Sequence, residues 1–136
     1  MKSLKETLIE SVNEAKAVSF SDNAEAARTA VMDGADAMIK FLNSPAKLNK
    51  YFADYDFDRK QKMAIYDLLA ELASDLYTWM TEVDIYENIE DDDDMNTDWG
   101  NRKDNAFDDY GEETIDPTFE IWPKVWKDVV KFDWIW

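Results

Sequence analysis

The chain has 136 residues, with 31 acidic and 15 basic side chains, a formal charge of −16 and a pI near 4.2, and it contains neither cysteine nor histidine. The length suits one domain with a real core, so residues 1–136 are expected to fold as a single unit. The absent residue types exclude disulfides, thiolate chemistry and the commonest zinc ligands. The charge opposes direct binding to nucleic acid or anionic lipid and favours basic protein surfaces. No apolar run approaches the ~18 residues of a membrane span, and no signal-peptide pattern opens the chain. The expectation is a soluble cytoplasmic protein.

Residues 1–18, MKSLKETLIESVNEAKAV, read as an amphipathic helix with a Ser3/Glu6 capping box and a Leu4, Leu8, Val12 stripe. A second helix is expected from a cap at Asp22, with Ala27, Ala30, Val31, Gly34, Met38, Phe41 and Leu42 inward. Its small residues imply a closely packed partner helix, and Gly34 is assigned that packing role. Asn43-Ser44-Pro45 ends it and opens a short third helix that buries Leu48, Tyr51 and Phe52. The aromatic–acidic run after it reads as a loop ending in a cap at Asp58. A long helix follows to about Val83, with Met63, Tyr66, Leu69, Ala70, Ala73, Leu76, Tyr77 and Met80 as its apolar positions. Arg59, Lys60 and Lys62 stand in its first turn, where they oppose the helix dipole. The acidic stretch downstream folding back near them would offset that cost.

That stretch, Glu82 to Asp116, holds fifteen carboxylates against Arg102 and Lys103. Residues 1–81 carry 13 acids and 10 bases, a net of −3, and residues 82–136 carry 18 acids and 5 bases, a net of −13. Acidic tails are usually poor in aromatics. Here Trp99, Phe107 and Tyr110 are interleaved as candidate anchors, so residues 84–116 are expected to be an ordered loop region. In residues 117–136, punctuated by Pro117 and Pro123, a helix from Pro123 to about Lys131 would align Val125, Trp126, Val129 and Val130; the β-branched content keeps a strand open as the alternative. Trp122 and Trp126 read as core. Trp134 and Trp136 are balanced between core and interface. The fold class is mainly α: a three- to four-helix bundle over residues 3–83, an acidic ordered-loop region at 84–116, and an aromatic C-terminal helix or strand.

Three constellations bear on function. Asp94, Asn96 and Asp98 alternate in the manner of the first ligands of a calcium loop. Trp99 stands at the sixth place, where such a loop wants glycine, and Asn105 at the twelfth, where it wants glutamate. Calcium is therefore the weakest of the three signals, and no other cofactor is indicated. Paired carboxylates abound, yet no phosphate-binding loop, nucleophile motif or HExxH accompanies them, so the chain is not read as an enzyme. The third constellation is the carboxylate field. Its plain reading is a solvated face. Its sharper reading is nucleic-acid mimicry, in which carboxylates occupy the phosphate positions of a duplex on a basic protein groove. The partner-binding residues would be Glu87, Glu90, Asp91, Asp92, Asp93, Asp94 and Asp98, with Asp108, Asp109, Glu112 and Glu113 as a second cluster and Trp134 and Trp136 in an aromatic docking tail.

With this charge and the opening MKSLKETLIESV, the chain resembles small acidic proteins encoded by bacteriophages. The resemblance implies a DNA-mimic or anti-defence inhibitor, or else a structural or accessory virion protein docking through its aromatic C-terminus. It supplies no functional residue.

Overall fold

A computed structural model describes residues 21–82 and 92–131, apart from the side chains of residues 92–94 and 96. The helix expected over residues 1–18 lies outside them. Among the described residues the protein is helical, with no strand.

Helix α1 spans Ala24–Phe41. Asn23, not Asp22, caps it: its side-chain oxygen accepts from the Ala26 amide at 3.0 Å. Ala27, Val31, Gly34, Ala35 and Met38 face the core. A 3₁₀ turn, Pro45–Leu48, leads into the short α2, Asn49–Phe52, which buries Leu48 and Phe52. Pro45 opens that turn as expected, although Ser44 makes no side-chain cap.

Helix α3, Arg59–Glu82, is the axis of the molecule. Asp58 and Gln61 cap it reciprocally: Asp58 Oδ1 accepts from the Gln61 amide at 2.8 Å, and Gln61 Oε1 from the Asp58 amide at 3.2 Å. Its core stripe is Ile65, Leu68, Leu69, Leu72, Ala73, Leu76, Trp79 and Met80. This is rotated from the expected stripe. Met63 and Tyr77 are 55% and 37% exposed, while Ile65, Leu68, Leu72 and Trp79 take inward positions. The reason is occupancy on several sides. Helix α3 packs against α1, against α4 (Asp92–Phe107) and against α5 (Glu112–Val130), so its buried arc is wider than one stripe.

The acidic stretch departs most from its expectation. It is not a loop from residue 92 onward. Helix α4 occupies Asp92–Phe107, and α5 begins at Glu112. Four large or apolar side chains fix α4: Met95, Trp99, Ala106 and Phe107 are all buried. Helix α5 also starts earlier than expected and runs through both Pro117 and Pro123. A proline inside a helix costs about 3 kcal/mol. Ile121, Trp122, Val125 and Trp126 are fully buried on the same helix, and burying each such side chain returns about 1.5–3 kcal/mol, which outweighs the break. The strand alternative is not seen over residues 117–131; residues 132–136 lie outside the described set.

Gly34 has its expected role. A Cβ there would stand 2.6 Å from Trp126 Cη2 and 2.9 Å from Val130 Cγ1, so α1 and α5 touch through the missing side chain. Tyr66 donates to the Leu42 carbonyl at 2.7 Å, which ties the end of α1 to the early part of α3. Tyr55 donates to Glu120 and Tyr51 to Asp128, each at 2.6 Å, so α5 returns toward the N-terminal end of α3.

Candidate protein-binding surface

The carboxylates of the second cluster stand in the turn between two helices and on the start of the second. Asp108 and Asp109 sit in the turn after α4, and Glu112 and Glu113 in the first turn of α5; all four side chains are exposed. Acids in a first turn complement the positive end of the helix dipole. Gly111 is the N-cap, and the Glu113 carboxylate folds back to within 2.6 Å of the place a Gly111 Cβ would take. Asp104 and Asp116 extend the exposed set.

Asp98 behaves differently from its expected role. It is half-buried and accepts from Trp79 Nε1 at 2.6 Å. Trp79 and Trp99 stack at 5.4 Å between centroids with an 11° interplanar angle, and the Arg102 guanidinium lies 5.9 Å from the Trp79 ring. Asp98 thus serves the clamp that holds α4 to α3. Asp92, Asp93, Asp94 and Asn96 lie on the first turns of α4. Glu87, Glu90, Asp91, Trp134 and Trp136 lie outside the described residues. For the calcium candidates the helix matters: positions 94 and 96 are about 200° apart around its axis, which is not the extended alternation of a calcium loop. Among the described residues no group of three or more acidic side chains is placed to hold a metal ion.

The field also gathers acids from α3 that the sequence reading passed over. Asp67, Glu71 and Asp75 recur at four-residue steps, which on a helix makes a row along one side. That spacing was the available signal. Like charges so placed repel, and the turn after α4 adds another. Burial pushes the Glu71 carboxyl up, and the charges of Asp75 and Asp109 push it further, against a hydrogen bond donated by Tyr110. Burial likewise raises Asp75, with Arg102 pulling the other way. The Tyr110 hydroxyl is raised by burial and by Glu71, Asp67 and Asp109 around it. One surface therefore brings together the α3 row and the α4–α5 turn from which α5 starts. Lys103 stands in this region too; burial lowers its pKa, and Asp104 opposes that shift. The ion pairs Glu25–Arg28 at 3.1 Å, Asp36–Lys40 at 3.0 Å and Asp128–Lys50 at 3.8 Å all lie elsewhere.

The surface offers repeated negative charge, carried on and between helices whose inner sides are buried. Among the described residues no helix is long and apolar enough to cross a membrane. No protein-family model, curated protein or solved structure was found to match the chain.

Proposed function

We propose that this chain is a non-enzymatic binding protein whose carboxylate field occupies a basic, nucleic-acid-binding surface of a partner protein, in the manner of a duplex mimic. The observation that carries the reading is the placement of Asp104, Asp108, Asp109, Glu112, Glu113 and Asp116, exposed on elements whose opposite sides are buried through Trp99, Phe107, Thr114 and Thr118. A mimic needs charge held at constant spacing, because a groove shaped for phosphates rewards shape as well as sign. A mobile tail of the same composition would forfeit part of its binding energy to ordering. The like-charged row Asp67, Glu71 and Asp75 adds to the field at a cost to the free protein, which a basic partner would relieve.

The test starts with capture of partners on the immobilised chain at about 0.1 M salt, near a Debye length of ~10 Å. The captured protein is then purified and titrated with and without duplex DNA. The reading expects duplex to compete, and affinity to fall by about tenfold or more as salt is raised several-fold. It expects D108N/D109N/E112Q/E113Q to lose most of the binding while keeping its helicity. Binding that ignores salt, or that duplex does not displace, contradicts it.

A further inference from the structure

Among the described residues the densest run of cations is at the start of α3. Arg59, Lys60 and Lys62 border a groove between the 3₁₀ turn, α2 and the start of α3, floored by Ala46, Phe52, Met63 and Tyr66. Met63 is 55% exposed there, the most exposed large apolar side chain among the described residues. Among the described residues none of the three cations has an ion-pair partner, and they share the first turn with the positive end of the helix dipole. Asp67 is the one acid lining the groove. An apolar floor with a cationic border fits a short segment that carries both an apolar side chain and several carboxylates. The chain contains such a segment: residues 89–94, Ile-Glu-Asp-Asp-Asp-Asp.

Within one molecule the start of α4 stands far from this groove. Helix α3 has 24 residues, so its two ends are about 35 Å apart. Trp99 stacks on Trp79, and Tyr110 hydrogen-bonds Glu71, so α4 runs antiparallel to α3 and Asp92 stands beside the Glu82 end. Asp92, where α4 begins, is therefore about the length of α3 away from Arg59. The acidic stretch does fold back on α3 at the α4–α5 turn, where Asp109 and Tyr110 meet Asp67 and Glu71, yet among the described residues it makes no ion pair with Arg59, Lys60 or Lys62.

We propose that the groove at the N-terminal end of α3 receives residues 89–94 of a second copy of this chain, joining molecules head to tail. The net charge of −16 does not forbid it. The two ends of one molecule are more than three Debye lengths apart at about 0.1 M salt, so each contact feels its local complement and little of the far field. Because the two contacting surfaces differ, molecules can extend head to tail or form a ring, and two antiparallel copies that exchange both contacts close as a dimer. It draws on the same capacity for basic surfaces that the proposed function assigns to the acidic stretch. A basic partner would compete with it.

Two variants decide the matter by sedimentation velocity. R59E/K62E destroys the groove border and keeps the acidic stretch; D91K/D92K/D93K/D94K does the reverse. The wild-type chain is expected to grow in mass with concentration at about 0.1 M salt and to be monomeric at about 1 M. Each variant alone is expected to be monomeric. An equimolar mixture of the neutral pair, R59Q/K62Q with D91N/D92N/D93N/D94N, is expected to give a 1:1 dimer that grows no further, since only one productive contact remains. A wild type that stays monomeric, a variant that still self-associates, or a mixture that stays monomeric overturns the proposal. If the lysine variant loses helicity by circular dichroism, D91N/D92N/D93N/D94N takes its place. R59E/K62E also retains the carboxylate field, so its salt-dependent binding to polylysine reports on the proposed function separately from self-association.

Discussion

Helices α3 and α4 lie against each other and are stabilised in opposite ways. Helix α3 buries eight side chains along 24 residues and is held by neighbours on several sides. Helix α4 is DDDMNTDWGNRKDNAF, a sequence with little apolar content, and its order rests on Met95, Trp99, Ala106 and Phe107. The difference shows that a charge-dense segment does not need a continuous apolar stripe to be fixed. A few large anchors, one of them Trp99 stacked on a Trp79 indole that donates to the neighbouring Asp98, are enough to set a helix whose remaining positions are free to carry charge.

Removing the anchor of α4 should separate the two helices most sharply. Trp99→Ala takes away a fully buried indole that stacks on Trp79. Losses of this kind run to about 3–5 kcal/mol. The α4 amides are expected to exchange much faster, while the protection of Leu68–Leu72 in α3 falls less. Equal loss in both would mean that α4 is not held separately through this residue.

A smaller effect is expected where the tightly packed side is overfilled. Gly34→Ala places a methyl group 2.6 Å from Trp126 Cη2. Overpacking typically costs about 1–3 kcal/mol, so the denaturant midpoint should drop, with the slope of the transition unchanged. A neutral or stabilising result would show that α5 shifts freely against α1.

Gly100 makes the opposite prediction on α4. Nothing lies within 4 Å of a Cβ built there. Gly100→Ala should stabilise by about 0.5–1 kcal/mol through helix propensity alone, measurable as a higher denaturant midpoint. The same replacement at two helical glycines thus carries opposite signs, set by what surrounds each.

The smallest effect concerns pH. Glu71 and Asp75 are raised above their ordinary values of 4.5 and 3.8. Just above those values the folded chain holds protons that the unfolded chain has released. Stability therefore falls as pH rises from those values through the raised folded-state range and recovers on mild acidification. Glu71→Gln is expected to raise Tm slightly at neutral pH and to flatten this slope on the acid side of it. A Tm that falls steadily on acidification, unchanged by the substitution, would contradict the assignment.

Much of the helical skeleton was legible in residues. The Asp58 cap, the break at Asn43-Ser44-Pro45, the packing role of Gly34 and the anchor roles of Trp99 and Phe107 all follow from local chemistry, and the structure has them. Three features did not follow. The register of the α3 stripe depends on how many neighbours cover it, which periodicity on one helix does not encode. The continuation of α5 through Pro117 and Pro123 depends on tertiary burial of Ile121, Trp122 and Trp126 exceeding a local penalty. The helicity of α4 depends on a stack with Trp79, nineteen residues before Asp98 in the chain. For the proposed binding surface, the exposed cluster at Asp108, Asp109, Glu112 and Glu113 was legible as charge. The contribution of Glu71 and Asp75 was hidden because they belong to a helix read only for its apolar side, and Asp98 was read as a free ligand although its partner comes from another helix.

The central claim is that the carboxylates of the α4–α5 region are carried on fixed helices. Hydrogen exchange of the α4 amides from Trp99 to Phe107 at neutral pH tests it most directly. Protection well above that of an unfolded chain, approaching that of the α3 core amides, is the expected result. Exchange at the rate of an unstructured peptide would contradict the account, because an acidic segment without fixed spacing cannot act by shape.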